Sequence, residues 1–360
     1  DLENYMKEED EQLAFEAQRC GSEEEGTKVM ARDEQDVPCI LTNVRFDMFE
    51  EPTDPDPDLN AFVELVCKRE YRRFMRRLLD KKHRLSPSKL CKYFYRAVSK
   101  FLARPETLRK YPQIQRIMVK DVTERNRRIA CLHIRWHDDV YPLLDIGIDL
   151  VPMIALPGWW PHWGNQHPLT RQIECVALPK WKLTKEIEMS VMEIGVHRWG
   201  PLFSMMPYEM KEGYRLAKVV RDKGVCPIIE DWQPASYFMD SYYMKQIIIK
   251  EYAKSLQHTA LAITDNPIAE VGEDVTENVE IGNITSSLFW AKKIYEVLEK
   301  AFNEGELTTF LFPDYNLLKD AHFRQYKGRA CHYARLCREL LTPQSVQHFK
   351  KAYMGIVEVD

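Results

Sequence analysis

Glu34 and Asp36 stand two residues apart in Asp33-Glu-Gln-Asp36-Val. On a strand that spacing puts both carboxylates on one face. Two like charges so close repel each other unless a cation lies between them. A hard divalent ion with oxygen ligands is the natural cation, and Mg²⁺ keeps waters and adds substrate phosphates. A third carboxylate, Asp149, lies in Leu144-Asp-Ile-Gly-Ile-Asp-Leu-Val-Pro-Met153 among apolar neighbours. A carboxylate there needs a partner or a metal. Asp145, at the same strand parity, is its rival. Taken alone, an acidic pair at this spacing is also the ordinary signature of a solvated strand edge. Just upstream, Gly21-Ser-Glu-Glu-Glu-Gly-Thr-Lys28 fails as a P-loop. That loop needs Gly-Lys-Ser/Thr, and here Thr27 precedes Lys28. Its three glutamates would also repel a triphosphate.

The elements that must position these residues follow from apolar periodicity and turn signals. Leu2 to Arg19 reads as a helix and Val37 to Val44 as a strand. A Pro/Asp loop, Glu51 to Asp58, leads to a helix expected to run from Asp58 to Asp80. Its apolar stripe is Val63, Cys67, Tyr71, Phe74 and Leu78, with Lys68, Arg69, Arg72, Arg73, Arg76 and Arg77 off the stripe. A helix over Ser88–Leu102 follows. Ile114–Val122 and Ile129–Trp136 read as strands joined by a charged turn holding Arg125, Arg127 and Arg128. Asp145–Leu156 is a long alternating strand. Trp159-Trp-Pro-His-Trp163 is an aromatic loop that reads as packing. Beyond about Trp199 helical stretches dominate: 207–222, 241–255, 287–303 and 319–341. Strands mixed with helices, then helices alone, imply an α+β fold. The domains are expected to be residues 1–198, a mixed twisted-sheet lobe, and 199–360, a helical lobe.

The 360 residues carry 51 Lys+Arg and 55 Asp+Glu and are 45% hydrophobic, which excludes wholesale disorder and low-complexity classes. The net charge of −4 hides an asymmetry. Residues 1–60 hold 19 acidic and 5 basic side chains, net −14, whereas 61–135 hold 22 basic and 6 acidic, net +16. No apolar run is long enough for a membrane span, and the first residues lack a signal-peptide core. Nine cysteines scattered singly fit reduced thiols in a cytoplasmic setting. The basic block reads two ways: as a track for a phosphate backbone, or as a solvated face paired with the acidic segment.

Taken together, these landmarks resemble the cyclic GMP-AMP synthase-like receptors, the nucleotidyltransferases that carry the male-abnormal (Mab) domain. The match comprises Gly21-Ser22 followed by Glu34-Gln-Asp36-Val, then Ile148-Asp149-Leu-Val-Pro152. In the helical half it adds Trp199…Leu202-Phe-Ser204, Ser241-Tyr-Tyr-Met-Lys245 and Phe310-Leu-Phe-Pro-Asp-Tyr-Asn-Leu-Leu318. The resemblance implies a bilobal nucleotidyltransferase fold with a cleft between the lobes. It implies that Gly21 and Ser22 hold a nucleotide triphosphate, and that Glu34, Asp36 and Asp149 hold two Mg²⁺, with Mn²⁺ able to substitute. Lys218, Ser241 and Tyr242 would contact phosphate or base. The implied reaction joins ATP and/or GTP into a cyclic dinucleotide with loss of pyrophosphate, for innate antiviral signalling through a downstream cyclic-dinucleotide receptor.

Two departures from the pattern matter. The family's arginine after the tryptophan is replaced, since Gly200-Pro201 follow Trp199. The zinc-binding insertion of vertebrate members has no counterpart, because 205–240 offers only Cys226 and no His. No zinc is expected, and double-stranded RNA is favoured over DNA as the activator, its shape being read through sugar and phosphate. Two alternatives stand: a catalytically silent Mab-domain scaffold, and a transferase that makes linear oligonucleotides.

Overall fold

The computed structural model describes residues 1–18, 20, 25–29, 34–53, 60–121, 130–137, 143–179, 191–196, 198–225, 241–265, 279–319 and 321–354. By their contacts the residues fall into two units. The first comprises Asp1–Glu24, Ala31–Trp163 and Gln172–Gly200. The second comprises Glu25–Met30, Gly164–Arg171 and Pro201–Asp360. The fold is mixed α and β. No helix among the described residues is long and apolar enough to cross a membrane.

The first unit is built on a mixed sheet with eight strands among the described residues. Its strands are β1 (Phe15–Ala17), β2 (Glu34–Leu41), β3 (Phe62–Val63), β4 (Ile114–Asp121), β5 (Ala130–Trp136), β6 (Leu144–Ala155), β7 (Cys175–Leu178) and β8 (Met192–Val196). Their order is β1-β2-β6-β7-β8-β3, with β5 also on β6 and β4 on β5. Among the described residues one pairing, β2 with β6, is parallel. Strand parity sorts the centre of this sheet. One face carries Cys39 and Leu41, with Ile148 and Leu150 on β6 and Leu132 on β5. α3 (Pro87–Leu102) packs there, Phe94 meeting Phe15 at 5.6 Å between ring centroids. Its Leu90, Cys91, Phe94, Ala97 and Val98 are buried at helical spacing. Pro87 opens the helix, and the Ser86 side chain accepts from the Lys89 N–H. The opposite face carries Asp36, Asp145, Gly147 and Asp149.

Two expected helices form only in part. Leu2–Arg19 breaks into α1 (Leu2–Glu9), a 3₁₀ turn and β1, because Phe15–Ala17 pairs with Cys39–Leu41. The segment 58–80 holds only a 3₁₀ turn at Arg69–Tyr71 and α2 (Arg72–Met75). Bridges from Cys67 to Phe49, from Val66 to Arg84 and from Leu79 to Leu85 claim its backbone instead. The physical reason lies in the arginines. Positions 69/73, 72/76 and 73/77 are i, i+4 pairs of like charge, which oppose a helix. The hairpin that follows is closed by His83 at φ 62, with Asp80 accepting from the Lys82 and Arg84 N–H groups. A short helix, α4 (Pro105–Arg109), follows α3.

The second unit is helical, with α5 (Gly200–Met205), α6 (Tyr208–Val219), α7 (Ser241–Asp265), α8 (Val279–Glu304), α9 (Ala321–Leu340) and α10 (Pro343–Phe349). α6 lies close against α8 at Gly213, where a Cβ would come within 2.4 Å of the Trp290 Cβ. That approach is possible only without a side chain.

Candidate functional site

β2 and β6 run parallel in a register that sets Asp36 beside Asp149 and Glu34 beside Gly147. Neighbouring strands lie about 4.8 Å apart and register partners share a face, so Asp36 and Asp149 are adjacent carboxylates. Glu34 stands two positions before Asp36 on β2; its side chain is outside the described residues. Gly147 leaves the space beside Glu34 free of a side chain. Asp36 is exposed and Asp149 half-buried. Farther along the same face Ile40, Met153 and Val176 form a buried apolar cluster. The carboxylates therefore sit at the edge of a low-dielectric floor, which strengthens their mutual repulsion and their pull on a cation.

Asp145 is engaged elsewhere. Its carboxylate accepts two hydrogen bonds from Arg135, at 2.9 and 3.2 Å, and this holds its pKa below the ordinary value. Asp149 has Asp36 on one side and Cys131 on the other. Cys131 and His133 share the polar face, Sγ to Nε2 being 3.4 Å. Their i, i+2 spacing on an alternating strand was the sequence signal for them, and it is too common to single out. Among the described residues no group of three His, Cys, Asp or Glu side chains is arranged to hold a metal. Cys20, next to Gly21, lies with its Sγ 3.2 Å from the Asp36 carbonyl oxygen. Gly21 and Ser22 lie outside the described residues, as do Arg125, Arg127 and Arg128.

The helical unit holds the remaining candidates. Lys218 on α6 is 7% exposed, so it does not belong to a solvated helix face. Its Nζ donates to the Thr27 carbonyl at 3.1 Å and lies 5.4 Å from the centre of the Tyr214 ring. Burial, then the neighbouring Lys245, lowers its pKa to about 8. Lys245 is paired at 2.5 Å with Glu25, whose side chain is completely buried. The second oxygen of Glu25 accepts from the Thr27 hydroxyl at 3.3 Å. Gly26, between them, has φ 66, a left-handed conformation suited to glycine. Sequence reasoning missed Glu25, Thr27 and the role of Lys245. The glutamate run looked like a reason to reject the loop, and its partner lies 220 positions away. Ser241 opens α7 and its carbonyl accepts from the Tyr214 hydroxyl; Tyr242 is half-buried beside Tyr243.

The six candidate polymer-contacting side chains divide evenly. Lys68 donates to the Asp47 carbonyl, Arg72 to the Cys67 carbonyl, and Arg77 binds Asp10 and Gln12. Arg69, Arg73 and Arg76 are exposed and make no hydrogen bond or ion pair among the described residues. The acidic N-terminal segment also pairs Glu9 with Arg104 and Asp1 with Lys110. Part of the basic block is thus neutralised by its own chain, and part faces solvent. The aromatic loop packs: Trp159 lies 5.8 Å from Phe46 and 6.0 Å from Trp163, ring to ring, and the Trp163 indole donates to the Asn60 carbonyl. No family model matches the chain, and no curated protein does.

Proposed function

We propose that the chain is a nucleotidyltransferase of the cyclic GMP-AMP synthase-like kind, which joins ATP and/or GTP into a cyclic dinucleotide for innate immune signalling. The observation that carries this reading is the register of β2 on β6, which makes Asp36 and Asp149 neighbours on one sheet face with Glu34 in the same row. An all-oxygen carboxylate set beside a side-chain-free glycine suits a hard cation such as Mg²⁺. When bound, Mg²⁺ supplies charge neutralisation for an in-line displacement at phosphorus. Asp36, Asp149 and Glu34 would hold it. In each transfer a ribose hydroxyl gives up its proton to water, its oxygen bonds to the α-phosphorus, the bond from that phosphorus to the α–β bridging oxygen breaks, and pyrophosphate leaves. Lys218 brings a buried cationic donor for phosphate oxygens, and Tyr242 offers a partly exposed ring for base stacking. Gly21, Ser22 and Ser241 take their nucleotide-binding roles from the resemblance alone. Arg69, Arg73 and Arg76 are the side chains best suited to a double-stranded RNA backbone.

The test incubates the protein with all four labelled nucleotides and Mg²⁺ or Mn²⁺, with duplex RNA, duplex DNA or neither, and separates the products by thin-layer chromatography. A cyclic dinucleotide that needs duplex RNA and vanishes in Glu34→Ala/Asp36→Ala is expected. A linear oligonucleotide, or undiminished product in that variant, would overturn the reading.

A further inference from the structure

Residues 25–29 are covalently close to both halves of the proposed chemistry: Gly21-Ser22 lie just before them, and Glu34 and Asp36 just after. By its contacts this segment nevertheless belongs to the helical unit. Two lysines hold it there, Lys245 through the Glu25 carboxylate and Lys218 through the Thr27 carbonyl. The two attachments differ in kind. Lys245 and Glu25 are opposite charges, and the carboxylate is shut away from water. Lys218 is a buried cation whose one hydrogen bond among the described residues goes to a neutral carbonyl. A phosphate oxygen is a better acceptor than that carbonyl, since hydrogen bonds between ionised partners are roughly twice as strong as neutral ones.

We propose that Lys218 and Lys245 form a clasp on segment 25–29, and that the Lys218 half is a substrate-operated release. A polyphosphate that reaches Lys218 displaces Thr27 and frees the segment leading into Glu34 and Asp36, while Lys245 keeps its end anchored through Glu25. Lys245 and Glu25 are positioning residues in this scheme. The inference rests on the nucleotidyltransferase reading for the identity of its trigger, a nucleoside triphosphate. The release is pH-dependent, because Lys218 titrates near 8. Burial, Lys245 and Arg221 disfavour its charge, and Glu25 and Asp222 favour it. Above that pH the neutral amine still donates to Thr27 but no longer attracts an anion.

Trypsin reports the state of the segment. The bond after Lys28 joins it to Val29, which is 8% exposed, and Thr27 on the other side of Lys28 is fully buried, so cleavage there requires local opening. Inorganic tripolyphosphate is the probe, and the released N-terminal peptide is measured by mass spectrometry. In the wild type at pH 7, saturating tripolyphosphate should raise cleavage after Lys28 at least fivefold while other tryptic sites stay constant. At pH 9 about a tenth of Lys218 would carry charge, and the response should largely disappear. Lys218→Arg, charged throughout, should keep the response at pH 9. Glu25→Gln should raise cleavage without any probe. Tripolyphosphate that leaves cleavage unchanged or reduces it would overturn the clasp, as would a pH 9 response equal in wild type and Lys218→Arg. Product formation is scored separately. A clasp that responds in a protein making no dinucleotide would sink the transferase reading alone, and an active enzyme whose cleavage never responds would sink the clasp alone.

Discussion

Lys245→Met tests how much the helical unit relies on its buried ion pair. Methionine keeps most of the length and the apolar stem but removes the charge. Glu25 is then a carboxylate with no solvent exposure, left with the Thr27 hydroxyl as its donor among the described residues. Removing one partner of a buried pair costs about 3–5 kcal/mol, because a charge is stranded. An exposed pair is worth about 0–1 kcal/mol. The ceiling at pH 7 is the cost of protonating an ordinary glutamate, about 4 kcal/mol, since a stranded carboxylate takes up a proton once that is cheaper. Together these place the loss at about 3 kcal/mol. Urea unfolding followed by circular dichroism is the assay, with Lys245→Met/Glu25→Gln as the companion. The double variant strands no charge and should regain at least half of the loss. A single variant within about 1 kcal/mol of wild type would mean that the pair behaves as a surface contact, and the reasoning would fail.

Lys218 gives a prediction in pH. Its folded pKa of about 8 lies below the ordinary 10.5, so between those values the unfolded chain holds a proton that the folded chain has shed. Stability therefore rises with pH across that window, by at most about 3 kcal/mol, and the rise should shrink in Lys218→Met when unfolding is measured from pH 7 to 10.5. Gly213→Ala would set a methyl 2.4 Å from the Trp290 Cβ and 2.9 Å from the Ser287 carbonyl oxygen; the helices must part, at a cost of about 1–3 kcal/mol in urea unfolding. Replacing Arg69, Arg73 and Arg76 together with Ala should weaken duplex RNA binding and flatten its salt dependence, by about 0.9 in log–log slope for each phosphate no longer neutralised. Replacing Lys68 and Arg72, each of which spends one donor on a backbone carbonyl of its own chain, should change that slope less.

What could be read from the sequence follows the range of the interactions. The alternation of Leu144-Asp-Ile-Gly-Ile-Asp-Leu announces a strand from its own side chains, and β6 spans it. The pair Glu34/Asp36 was legible as one strand face, because i, i+2 geometry is local. The neighbour relation of Asp36 to Asp149 was not, since it depends on a parallel register between strands over a hundred residues apart. Segment 58–80 misled because its apolar stripe is real: Val63, Cys67 and Leu78 are buried, but by bridges and turns rather than on a helix. The stripe outweighed the repulsion within the arginine run. Leu2–Arg19 misled because a three-residue edge strand leaves almost no periodic signal. Asp145, the rival of Asp149 at the same strand parity, is bound to Arg135, a partner 10 positions away that parity alone does not announce. The clasp was invisible for the same reason as the register, its lysines being 191 and 220 positions from their partners.

The central claim is that Asp36 and Asp149 act together on a divalent cation. Calorimetric titration of Mn²⁺ into the protein in the presence of ATP, repeated for Asp36→Asn, Asp149→Asn and Asp145→Asn, tests it most directly. The account predicts saturable binding that weakens at least tenfold in each of the first two variants and is unchanged in the third. Binding in Asp149→Asn equal to that of the wild type would contradict it.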